Sequence, residues 1–171
     1  IDTSKEMSPA EVYAQNVAST VGITTEIVTT NYFGQPVSQA AAGSGFVITN
    51  DGYILTNYHV IDGAQSIKVA FVDGTTYDAV LVGGEEENDI AVLKIDTTGL
   101  TPVIIGDSDN IKVGEQVVAI GNPLGELTYS MTQGIISAKD RSITMQNGEV
   151  MNMLQTDTAI NSGNSGGPLF D

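Results

Sequence analysis

The chain has 171 residues, 41% of them hydrophobic, which is enough for one large domain or two small packed ones around an apolar core. Six Lys and Arg against 21 Asp and Glu leave a formal charge of −15, which excludes nucleic acid as a partner, because that backbone is bound by clustered cations that release counterions. No apolar run is long enough to cross a bilayer as a helix, and the lack of Cys excludes a disulfide framework and thiolate chemistry while leaving the redox compartment unread.

The N-terminus lacks the basic-then-apolar pattern of a secretory signal, and numbering from Ile1 fits a chain from which such a segment has been cut. Ser8-Pro9-Ala10-Glu11 places a capping hydroxyl, a Pro at the first helical position and a carboxylate three residues after the cap, which predicts a short helix. Tyr13, Val17 and Val21 recur at four-residue spacing as its expected buried stripe, and Gly22 with the β-branched run to Val28 ends it and opens a strand.

From there the hydrophobic period is mostly two. Asn50-Asp51-Gly52, Asp73-Gly74 and Asn147-Gly148 each separate two apolar or β-branched runs and supply the positive φ angles of tight hairpins. Strands are predicted at about 22–30, 43–49, 53–58, 66–72, 76–83 and 89–96, six members that can close a small barrel. Turn formers dominate 99–115 and predict an inter-barrel connection, followed by strands at about 116–121, 130–139, 149–156 and 166–170. The expectation is an all-β, double-barrel chain: an N-terminal segment 1–21, a first barrel 22–98, the connection 99–115 and a second barrel 116–171.

Glycines flank the serine in Gly163-Asn164-Ser165-Gly166-Gly167, so the backbone can turn sharply, project the hydroxyl and aim amide hydrogens at one spot. Such donors suit the oxyanion that forms when Ser165 attacks a carbonyl, and Gly163, Asn164 and Ser165 are the expected oxyanion hole. A serine hydroxyl needs a positioned base, and the sequence offers one His, His59, in Thr56-Asn57-Tyr58-His59-Val60 after a β-rich run. The third member is a buried carboxylate that fixes the imidazole tautomer. Asp89 suits it because it directly precedes the apolar strand Ile90-Ala91-Val92-Leu93 in the same barrel; Asp157 and Asp78 are rivals, and Glu85, Glu86 and Glu87 read as a solvated loop. With one His and no Cys, zinc ligands are lacking, so no metal and no cofactor are expected.

Together with Gly121-Asn122-Pro123-Leu124-Gly125 and Gln133-Gly134-Ile135-Ile136-Ser137, these blocks closely resemble the HtrA (Deg) family of chymotrypsin-like serine proteases, from about residue 43 to the end. The resemblance implies a trypsin-like pair of six-stranded barrels with the site in the cleft between them. It also implies endopeptidase action on unfolded polypeptides in extracytoplasmic quality control, periplasmic or cell-surface, with homotrimers, an upstream membrane anchor and a downstream PDZ domain. Asn164 stands where digestive relatives carry an Asp that pairs with a new N-terminal amine, so Ile1 is not expected to be an activation end. Ala159 stands where basic-specific relatives carry an acid, and Ile160 is expected to line the pocket, which favours cleavage after small aliphatic residues. The chain ends six residues after Ser165, so the second barrel is expected to be incomplete, with the far wall of its pocket missing.

Overall fold

The computed structural model describes residues 7–122, 129–144, 148 and 150–171. Helix α1 spans Pro9–Asn16, with the Ser8 side chain accepting from the Glu11 amide and the Glu11 carboxylate accepting from the Ser8 amide, as the capping box predicts. The expected stripe differs: the helix tightens into a single 3-10 turn at Val17–Ser19, and Val21 already belongs to the first strand. Val12 is instead the buried anchor, packed with Tyr13 against Val118 and Ile120 of the second sheet.

Six strands close the first barrel: β1 (Thr20–Thr30), β2 (Pro36–Val47), β3 (Tyr53–Thr56), β4 (Ser66–Ala70), β5 (Thr76–Glu85) and β6 (Ile90–Ile95). Their order is β1-β2-β3-β6-β5-β4, and pairing of β1 with both β2 and β4 closes the ring and leaves no open edge. Val21, Ile23, Val47, Ile54, Val69, Leu93 and Ile95 fill it and are essentially sealed from solvent. Burial of each such side chain contributes roughly 1.5–3 kcal/mol, so the barrel is a filled core rather than a pore.

Strand β2 starts seven residues earlier than predicted, because Pro36 to Ala42 pair with β1 in a ribbon that runs out from the barrel and is exposed on β2. The Ala-rich run there has no β-propensity to announce it. At the tip, the Asn31 side-chain oxygen accepts from the amides of Phe33 and Gln35, a local turn that leaves Tyr32 and Phe33 in solvent.

The second sheet contains β7 (Gln116–Gly121), β8 (Ser130–Thr144), β9 (Val150–Thr156) and β10 (Leu169–Phe170) in the order β10-β7-β8-β9. It forms a half-barrel beside the closed one, the trypsin-like double-barrel architecture with its second member incomplete in this chain. Gly52 and Gly74 occupy their hairpins at φ +102° and +87°, and Gly148 lies at +89°, while Asn147 of the third hairpin signal falls outside the described residues. Pro123, Leu124 and Gly125 also fall outside them.

Candidate active site

His59 does not end a strand. After β3 the chain turns at Asn57 into a one-turn helix, α2 (Tyr58–Ile61), and His59 sits on it. Two bonds divert the chain there. The Thr56 hydroxyl donates to the Ser44 carbonyl at 2.7 Å, and the Asn57 side-chain amide donates to the Asp89 carbonyl at 2.8 Å instead of capping the helix.

Asp89 lies in the turn before β6 in the left-handed region, φ +53°, a conformation that Asp tolerates better than most side chains. That turn aims both carboxylate oxygens at one residue. Oδ1 accepts from the His59 backbone amide at 2.8 Å, and Oδ2 lies 2.7 Å from His59 Nδ1. The Asp89 side chain is 28% exposed and that of His59 57%, so the acid is half-buried rather than buried as expected, beside a more exposed imidazole. The rival acids are committed elsewhere: Asp157 accepts from the Ile135 amide at 2.7 Å, and Asp78 pairs with Lys68 at 2.9 Å on the outer surface of the barrel.

Ser165 rides on a chain of tight turns in which the Asn164 amide donates to the Asn161 carbonyl at 3.1 Å and the Gly167 amide to the Asn164 carbonyl at 2.9 Å. Gly163 and Gly166 adopt φ +122° and +82°. A Cβ on Gly166 would lie 2.4 Å from the Thr56 hydroxyl and 2.9 Å from the Asn57 nitrogen, so the serine turn is pressed onto the residues that lead into His59. The two halves of the site are therefore brought together, one from each sheet. Among the described residues no hydrogen bond joins the Ser165 hydroxyl to His59.

Neither the Gly163 nor the Ser165 amide has an acceptor among the described residues, whereas the Asn164 amide is taken by Asn161. Asn164 therefore leaves the expected set of oxyanion donors, and the pair Gly163 and Ser165 remains. The Asn164 side chain serves the turn instead: its oxygen accepts from the Asn161 amide at 2.9 Å and its nitrogen donates to the Ala159 carbonyl at 3.1 Å. The Thr132 hydroxyl reaches the same carbonyl at 3.0 Å, which ties the Ala159 segment to β8. Ile160 is 57% exposed, so it is not a core residue and is open to a bound side chain.

Ser44, Thr56 and Asn122 are all buried here; Thr56 and Asn122 lie in motif blocks of the sequence, whereas Ser44 belongs to none of them. The only hint is the small polar triplet Gly43-Ser44-Gly45 inside an apolar strand. A Cβ on Gly43 would meet the Val60 side chain at 2.7 Å and the Ser165 carbonyl at 3.2 Å, so that glycine marks the close approach of β2 to both α2 and the serine turn.

A family model for the trypsin-like peptidase domain matches residues 43–171. A probable periplasmic serine endoprotease DegP-like of Halomonas elongata is 49% identical over 138 residues, 81% of this chain and 28% of that protein. The chloroplastic Protease Do-like 1 of Arabidopsis thaliana is 42% identical over 172 residues, 97% of this chain and 39% of that protein. The structure of the HtrA-type protease AlgW with tripeptide superposes with a TM-score of 0.83 at 39% identity, over 96% of this chain and 51% of that one. Deg5 superposes with a TM-score of 0.78 at 38% identity, over 95% of this chain and 78% of that one.

Fold and matches together define a trypsin-like peptidase domain. Within that class the chain belongs to the HtrA (Deg) family. It spans 28% of the length of the Halomonas relative and 39% of the Arabidopsis one.

Proposed function

We propose that this chain is the peptidase domain of an HtrA-type serine endopeptidase, with Ser165 as nucleophile, His59 as its base and Asp89 as the acid that orients the base. The observation that carries the reading is the double contact of Asp89 with His59 beside a glycine turn whose Gly163 and Ser165 amides are without acceptors among the described residues.

With Asp89 holding the proton on Nδ1, His59 Nε2 carries the lone pair. It takes the proton of the Ser165 hydroxyl as that oxygen bonds to the scissile carbonyl carbon. The carbonyl oxygen becomes an oxyanion facing the Gly163 and Ser165 amides, and each such donor is worth about 3–4 kcal/mol of transition-state stabilisation. As the C–N bond breaks, His59 returns its proton to the leaving amine, and the acyl group stays on Ser165 as an ester. A water deprotonated by His59 attacks that ester, and the Ser165 oxygen leaves with the proton. The open hydrogen bond between Ser165 and His59 is compatible with this sequence, since such contacts commonly tighten only in the substrate complex.

The substrates proposed are unfolded polypeptides, cut after small aliphatic residues. Support comes from exposed Ile160 and from Ala159, which places no carboxylate in the pocket to attract Lys or Arg. An extracytoplasmic, quality-control setting is supported by the periplasmic naming of bacterial relatives. A homotrimer, an upstream membrane anchor and a downstream PDZ domain belong to the same reading and rest on family membership. Incubation with an unfolded protein such as casein tests it: the parent releases peptides ending in Val or Ala, and Ser165→Ala releases none.

A second reading, a peptide-binding module without turnover, is favoured by the missing Ser165–His59 hydrogen bond. Casein bound by the parent but never cut would select it.

A further inference from the structure

We propose that Ser44, on β2 of the closed barrel, is a positioning residue for the nucleophile, which it serves by clamping the peptide planes on either side of the Ser165 amide. The inference rests on the peptidase reading above.

Ser44 is fully buried, and its polar atoms go to three elements of the site. Its backbone amide donates to the Ser165 carbonyl at 2.8 Å, and its hydroxyl donates to the Gly163 carbonyl at 2.6 Å. The same hydroxyl oxygen accepts from the Asn122 amide at the end of β7 at 2.9 Å, and the Ser44 carbonyl accepts from the Thr56 hydroxyl at 2.7 Å. A buried hydroxyl engaged as both donor and acceptor is costly to replace, because its loss strands two buried backbone groups.

The pattern is more particular than a joint between sheets. The Gly163 and Ser165 carbonyls belong to the peptide planes immediately before and after the plane that carries the Ser165 amide hydrogen. With both outer planes held by Ser44, the middle plane and the Ser165 Cα have little rotational freedom, and the oxyanion donor and the nucleophile keep one orientation. The glycines record the tightness of this fit. A Cβ on Gly166 would lie 2.4 Å from the Ser44 carbonyl oxygen, one on Gly167 3.2 Å from the Ser44 Cβ, and one on Gly121 3.0 Å from its hydroxyl. Since Thr56 also hangs on Ser44, one residue sets the serine turn relative to the chain that enters α2 and His59. Neither His59 nor Asp89 is hydrogen-bonded to Ser44 among the described residues, so the clamp acts on donor geometry and not on the base.

The test uses the protein at its natural length, with Ser44→Ala compared with Val69→Ala, a cavity variant in the core of the closed barrel and remote from the serine turn. Rates are expressed per folded molecule after a thermal melt. The expected result is a fall in kcat of about ten- to a hundredfold for Ser44→Ala with KM within about twofold. Fluorophosphonate labelling slows equally, and the acid limb of the pH profile is unmoved, because the base is untouched. Val69→Ala, destabilised to a similar degree, keeps parental kcat.

A Ser44→Ala rate within twofold of the parent overturns the inference, and so does a loss that disappears on correction for unfolded protein. A displaced acid limb also overturns it, since Ser44 would then act through His59. A parent that is neither labelled nor active sinks the peptidase reading together with this one, whereas an active parent beside an unaffected variant sinks the clamp alone.

Discussion

Asp89 grips His59 at two points, with one carboxylate oxygen on the backbone amide at 2.8 Å and the other on ring Nδ1 at 2.7 Å. The first contact fixes the acid to the start of α2, and the second fixes the ring, so the orientation of the imidazole is set by one side chain. Asp89→Asn keeps an acceptor for the backbone amide and, like Asp, tolerates φ +53°, so the turn survives. Its side-chain NH₂ faces Nδ1, however, and the imidazole proton moves to Nε2, which removes the lone pair that the nucleophile needs. The expected outcome is a loss in kcat of about four orders of magnitude with an unchanged melting temperature. Steady-state kinetics on a chromogenic peptide, beside a thermal melt, check it.

Asn164 uses a donor and an acceptor at once, on the Ala159 carbonyl and the Asn161 amide. Asp at this position keeps the acceptor but sets a carboxylate against the Ala159 carbonyl. Asn164→Asp should lower kcat/KM about tenfold, the scale of one lost hydrogen bond with an added repulsion. Thr132→Val removes the other bond to the same carbonyl, so the two changes should be non-additive in a double-mutant cycle.

Tyr129 joins the sheets: its hydroxyl donates to the Ala70 carbonyl at 2.6 Å and accepts from the Gly22 amide at 3.2 Å. Burial, against the weaker opposing pull of the Gly22 amide, pushes this phenol up from 10.0 to about 12. The folded state thus holds the proton more tightly than the unfolded state. The stabilisation is fully present below pH 10 and is lost as pH rises from 10 towards 12. Tyr129→Phe strands the Ala70 carbonyl and should cost about 1–3 kcal/mol at pH 8. Urea melts at pH 8 and pH 11 should show the gap between parent and variant narrowing at the higher pH; a gap that widens contradicts the assignment.

Much of the closed barrel was legible because its strands are half-buried and alternate, and because Asp51-Gly52 and Asp73-Gly74 announce their turns. Strand β7 was bounded correctly at 116–121, where the apolar run is continuous and almost wholly buried. Local patterns failed where tertiary contacts decide. The Ala40-Ala41-Ala42 run becomes strand only through its pairing with β1, and the helical turn at His59 depends on Asn57 reaching Asp89, 32 residues away. The candidate site was legible as residue types: one His, a Ser in a glycine-rich turn, an acid before an apolar strand. Residues that hold such groups in place were not. Ser44 looks like any strand serine, and the commitment of the Asn164 amide to Asn161 is a matter of backbone geometry that no spacing reveals.

Peptidase activity requires that Ser165 be an activated nucleophile, and a fluorophosphonate probe with peptide mapping of the adduct tests that most directly. The expected result is one adduct, on Ser165, absent in Ser165→Ala and formed at least about a hundredfold more slowly in His59→Ala, the scale of a lost general base. A folded protein that takes no label, or takes it equally well without His59, contradicts the account.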